Sequence, residues 1–250
     1  MKFDQSDLSL VPALAESWTL DQTATEYTFV LRKDVHFHDD PCFPDGVGRA
    51  FAASDVVECF TALCSYGEMN QMFWLFQDRV LGADAHYAAT SKGEKGPGVK
   101  GIEALDEHTL RITLTQAWPG FLQVLGHQGC WIYPQELVQK YSEDAKWHPV
   151  GTGPFRLKSF SVGKVMIMER EPNYWGRDSL GDQLPFLDGL KVTFDPDKNK
   201  ELGEFEKGHL SAVYELPVER TDILEKGGSF QVQSIPGSSV QFYGLNMNVP

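Results

Sequence analysis

The stretch Gly151-Thr152-Gly153-Pro154-Phe155-Arg156 decides how this chain is read. Two glycines and a proline within four residues make a fixed, tight passage of backbone. Strand-like runs follow at 155–161 and 164–170, and Glu171-Pro172-Asn173-Tyr174-Trp175-Gly176 closes the second. One common use of a Gly-rich turn is excluded by its residues. Gly151 and Gly153 lack the third glycine of a dinucleotide fingerprint, and Pro154 removes the backbone donor that a phosphate would take.

Upstream, Leu10-Val11-Pro12-Ala13-Leu14-Ala15-Glu16-Ser17-Trp18 opens the chain, and Tyr27-Thr28-Phe29-Val30-Leu31-Arg32 alternates with the period of a half-buried strand. Val35-His36-Phe37-His38-Asp39-Asp40 is expected to continue it, which sets His36 and His38 on one face. Beside Asp39 and Asp40 that pair is the start of a metal site, but no third ligand is patterned, so a structural role and no metal are expected. The Pro- and Gly-rich residues 40–53 read as a loop. A helix over 54–64 follows, with Val56, Val57, Phe60 and Leu63 as its apolar stripe. Ala52 has no capping oxygen, so Ser54 is the candidate cap.

The aromatic run at 70–80 reads as a buried helix and 91–98 as a loop. Residues 99–105 and 109–115 form a hairpin around Asp106-Glu107-His108. Short helices start at Trp118 and over 134–141, with Pro134 at the first helical position. Beyond the glycine turn, strands are expected at 190–194, 210–214, 230–235 and 240–246, and helices at 198–207 and 218–226.

These blocks, taken in order, resemble the family-five extracytoplasmic solute-binding proteins, the peptide- and nickel-binding subunits of ABC importers. The match is carried by Pro12-Ala13-Leu14-Ala15-Glu16-Ser17-Trp18, by Leu31-Arg32 and Phe37-His38-Asp39, and by the glycine turn with Asn173-Tyr174-Trp175-Gly176. Leu184-Pro185-Phe186-Leu187-Asp188 and Leu245-Asn246-Met247-Asn248 extend it. The family's Gly-Glu-Ile-Asp is replaced here by Gly208-His209-Leu210-Ser211, and Pro217 stands one residue closer than usual.

The resemblance implies an α/β fold: a type II periplasmic-binding-protein lobe, a mixed sheet flanked by helices, built from 1–20 and 149–250. A small α+β subdomain at 21–148 is inserted in it, and a second lobe lies outside these residues. It implies hinge closure on a peptide or other small solute, delivery to a membrane permease, and Tyr214 as a cleft residue contacting ligand. Gly151, Thr152, Gly153, Pro154, Tyr174 and Trp175 are implied to be structural. The intact protein would be extracytoplasmic, in the periplasm or lipid-anchored, although Met1-Lys2-Phe3-Asp4-Gln5 begins no signal peptide. With half a cleft, the 250 residues would fold, bind solute weakly and self-associate weakly through the open face. A sensory input domain on a regulator is the alternative, and a hydrolase is a third reading.

Composition constrains the rest. The 250 residues are 42% hydrophobic, enough for a sizeable core, and the formal net charge of -13 excludes a nucleic-acid or anionic-membrane surface. Cys42, Cys59, Cys64 and Cys130 contain no C-x-x-C. They allow either two disulfides in three connectivities or four buried thiols. No G-x-S-x-G, H-E-x-x-H or Walker A motif is present, so neither an enzyme nor a cofactor is expected. Trp131, Tyr133, Phe242 and Tyr243 are expected to pack in the core.

Overall fold

The computed structural model describes residues 1–4, 7–217, 219–220 and 230–233. The chain divides into two compact units, 1–192 and 193–250.

The first unit begins with the short strands β1 (Lys2–Phe3) and β2 (Leu10–Val11), which pair with each other. Four antiparallel strands then make its main sheet: β3 (Ala15–Leu20), β4 (Glu26–Leu31), β5 (Ile102–Asp106) and β6 (Thr109–Thr113), in the order β3-β4-β6-β5. Period-two alternation sends Tyr27, Phe29 and Leu31 inward from β4, and Leu110 and Ile112 from β6. The register sets Phe29 opposite Leu110 and Tyr27 opposite Ile112, so large apolar side chains stand side by side on the covered face. The β3–β4 turn is organised by Asp21, whose carboxylate accepts from the backbone N–H groups of Thr23, Thr25 and Glu26.

Helix α1 (Ala53–Leu63) buries Val56, Cys59, Phe60 and Leu63. Its cap differs from the expected one. Ala52 is the N-cap, and Asp55 reaches back to accept from the Ala52 N–H at 2.8 Å, so the carboxylate does what the Ala52 side chain cannot. Asp55 is 1% exposed and is held by Arg49, which bridges Asp55 at 2.6 Å and Glu136 at 2.6 Å. Glu136 lies in α4 (Gln135–Tyr141), so this partly buried network fixes the start of α1 to α4. Pro134 caps α4 in an extended conformation and is not its first helical residue.

Four further expectations are corrected. The aromatic run at 70–80 is not a helix beyond one 3-10 turn at Phe73–Leu75, and Trp74 is exposed. Asp78 takes a positive φ, and the Arg79 guanidinium captures the Trp74 carbonyl, so helical bonding stops there. Residues 35–40 are not a strand: only an isolated bridge joins His36 to Ala50, with His36 exposed and His38 buried. The short helix expected from Trp118 is α3 (Phe121–Leu125), starting three residues later. Trp131 is 72% exposed rather than core.

Helix α2 (Ala83–Thr90) buries His86, which pins the loop at 91–98. Its Nδ1 accepts from the Gly98 N–H at 3.0 Å, so the proton is on Nε2, which meets the Ser65 hydroxyl at 3.0 Å. A Cβ on Gly96 would come within 2.2 Å of the imidazole, so only glycine fits over the ring.

A second sheet, of order β7-β8-β9, contains β7 (Phe155–Ser161), β8 (Val165–Arg170) and β9 (Gly189–Thr193). A Cβ on Gly189 would lie 2.6 Å from the Met168 carbonyl, a close approach that requires glycine at the β9 entry.

In the second unit, α5 (Lys198–Glu206) is capped by Asp197, which accepts from the N–H groups of Asn199 and Lys200. The strand expected at 210–214 is absent. Those residues are irregular, Glu215 has a positive φ, and Tyr214 is 82% exposed. Residues 230–233 are likewise irregular. Most of the helix expected at 218–226, residues 234–235, the strand at 240–246, and with it Phe242 and Tyr243, lie outside the described residues.

Candidate functional site

The glycine turn is held at four consecutive carbonyls. The His38 N–H donates to Gly151 O at 2.8 Å, and the Glu171 N–H donates to Pro154 O at 2.9 Å. Between them, the Trp175 indole Nε1–H donates to Thr152 O at 3.0 Å, and His38 Nε2 bonds Gly153 O at 2.8 Å. A carbonyl only accepts, so His38 carries its proton on Nε2, and its buried Nδ1 has no partner. Gly151, Thr152 and Gly153 therefore meet Trp175 and His38 in one clamp, and Glu171 holds Pro154 beside it.

Arg32 ties the opening block into it. Its Nε–H donates to the Ala13 carbonyl at 2.9 Å, and its guanidinium lies 4.8 Å from the Trp175 ring centroid. Tyr174 stands beside Trp175, with ring centroids 5.1 Å apart. His38 and Gly153 are 115 residues apart, so no local spacing could have shown this contact. The available signal was that both belong to blocks carrying the resemblance.

The clamp forms part of the wall of a cavity of about 720 Å³ within the first unit. Phe29, Leu31, Leu110 and Ile112 face it from the main sheet, and Val56 and Phe60 from α1. Leu157, Met166 and Met168 face it from the second sheet. Tyr133 and Tyr174 also line it, and burial pushes both phenols up, which keeps them neutral. The size is that of a small-molecule site, and the walls are largely apolar.

Of the other sequence-derived candidates, His38 and Cys130 are among the residues that line this cavity. Tyr214 is in the second unit and does not line it. Among the described residues, no group of three or more His, Cys, Asp or Glu is arranged to hold a metal ion. All four cysteines are free thiols, with Cys59, Cys64 and Cys130 buried. Burial pushes each of the four up to about 12, so none is a ready nucleophile at neutral pH. No helix among the described residues is long and apolar enough to cross a membrane.

Comparison with known proteins adds independent findings. The family model described as "Bacterial extracellular solute-binding proteins, family 5 Middle" matches residues 9–250. The glutathione-binding protein GsiB of Salmonella choleraesuis (strain SC-B67) is 24% identical over 241 residues, which cover 96% of this chain and 41% of that protein. The periplasmic binding protein DppA of Helicobacter pylori, solved with the peptide STSA, matches with a TM-score of 0.73 at 25% identity. That match covers 90% of this chain and 42% of DppA. Haemophilus influenzae OppA, solved with the peptide RPPGFSPFR, matches with a TM-score of 0.73 at 24% identity, over 90% of this chain and 41% of that one. The fold is that of type II periplasmic binding proteins, and the chain spans about two-fifths of the length of these relatives.

Proposed function

Because the chain belongs to the bacterial extracellular solute-binding proteins of family 5, we propose that it is part of the solute-capturing component of an ABC importer, with peptides as the solute class. The carrying observation is the continuous match over 9–250, alongside relatives named for glutathione and peptide binding. The protein acts by binding and release and not by catalysis. No nucleophile–base pair is patterned in the sequence, and the buried thiols stay protonated.

On this reading, 1–20 and 149–250 belong to one lobe and 21–148 to an inserted subdomain. Tyr214 contacts the solute in a cleft completed by a second lobe. Its 82% exposure leaves the ring free to meet a ligand. The protein works outside the cytoplasm, in the periplasm or lipid-anchored, and hands its solute to a membrane permease. An open face bearing exposed aromatics supports weak self-association of the 250 residues.

Calorimetric titration with glutathione and with a mixed tri- to pentapeptide library tests the reading. In the protein at its full natural length, micromolar or tighter binding is expected. There Tyr214→Ala weakens it by about 1 kcal/mol or more, as loss of an aromatic anchor does. The 250-residue chain alone binds no tighter than about 10 μM, roughly -7 kcal/mol. Absence of solute binding at full length, or peptide hydrolysis by the pure protein, overturns it.

A further inference from the structure

We infer that the 720 Å³ cavity of the first unit is a binding site for a single-chain amphiphile with an anionic head. This inference does not rest on the importer reading. Three observations carry it.

The first is the walls. Aliphatic, aromatic and methionine side chains from two sheets and α1 surround the space, and methionine adapts to a flexible apolar chain. The second is the backbone along it. The carbonyls of Gly151, Thr152, Gly153 and Pro154 are each already bonded within the protein. A peptide backbone brought here would find those acceptors occupied, whereas an alkyl chain needs none.

The third is charge. In a chain carrying 35 Asp and Glu, the cavity is lined by no carboxylate at all. Lys2 is the one lysine or arginine in the lining, and it is exposed. A lysine in a lining that holds no carboxylate favours an anionic head over a cationic one. The chain's overall charge of -13 acts in the opposite direction, so an anion preference is a local property of the cavity.

The test is calorimetry of the 250-residue chain with dodecanoate and, at equal chain length, dodecyltrimethylammonium, both below their micellar concentrations. Dodecanoate is expected to bind saturably, one per chain, at least tenfold tighter than the cation. Lys2→Glu should remove that tenfold preference. Met168→Trp, which puts a large ring into the space, should abolish dodecanoate binding. Leu157→Trp on the neighbouring strand is the second filling variant, and each variant is read only if it melts cooperatively. No saturable dodecanoate binding, equal affinity for the two charges, or binding unchanged by both filling variants overturns the inference.

Discussion

The two larger sheets of the first unit are built from strands of similar length and similar apolar content, yet they end in different states. In the main sheet, β4 and β6 send Tyr27, Phe29, Leu31, Leu110 and Ile112 into a face where each is buried. In the second sheet, β7 and β8 carry Phe155, Leu157, Met166, Ile167 and Met168, and none is fully buried. The main sheet is covered by α1 and the aromatic residues around Phe76 and Phe121. Both sheets line the cavity, so the difference comes from that cover. Alternation in a strand says which side chains share a face, but burial depends on what another part of the chain lays against it. The clamp of His38 and Trp175 on the glycine turn is the seam between the two.

The largest test of this contrast is a pair of truncations measured by urea denaturation. Phe29→Ala should cost about 4 kcal/mol, because it removes a ring that is only 2% exposed from the core. Met168→Ala should cost about 1 kcal/mol or less, since its side chain is only partly buried and lines the cavity. Equal costs would mean that the second sheet is as well covered as the first.

The next test is pH. His86 is buried in α2, and burial lowers its pKa from 6.5. Its Nδ1 must remain a bare acceptor for Gly98 N–H. A depressed folded value means that the unfolded chain binds the proton more readily. Stability is therefore fully present above pH 6.5 and falls as the pH drops through the lowered value. The slope from this one proton is at most about 1.4 kcal/mol per pH unit. His86→Gln, which keeps one acceptor and one donor without titrating, should flatten the slope between pH 7 and 5. An unchanged slope would show that His86 is not its source.

The seam gives a smaller effect. Trp175→Phe keeps an aromatic ring beside Arg32 but removes the indole donor to Thr152, and should cost about 1 kcal/mol in the same denaturation. No loss would mean that the turn holds its shape without that donor. Smallest of all, Tyr214→Ala should change stability by less than about 0.5 kcal/mol, as expected for an exposed side chain. A larger loss would show that Tyr214 is a packing residue and weaken its assignment to a ligand.

Most of the strands were legible because their residues alternate in place. The hairpin around Asp106-Glu107-His108 is the β5–β6 pair, and the strands after the glycine turn are β7 and β8. The misreadings share a cause. At 70–80 an apolar run is cut short by a positive φ at Asp78, and at 35–40 a strand-like alternation has no neighbour to pair with along its length. At 52–55 the cap chemistry is supplied from within the helix by Asp55, where the first hydroxyl in the sequence had seemed the better choice.

The sequence by itself determined the strands β4 to β9, the family to which the chain belongs, and the exclusion of a phosphate-binding turn, because each rests on local residue types and their order. Tertiary structure alone decided that His38 and Trp175 close on three successive carbonyls, those of Gly151, Thr152 and Gly153, that Arg49 neutralises a buried Asp55, and that a cavity free of carboxylates opens beside the second sheet. Each of those joins groups far apart in the chain. Their contact depends on how sheets and helices pack, and the backbone's need to satisfy every buried carbonyl then selects which distant donors meet them.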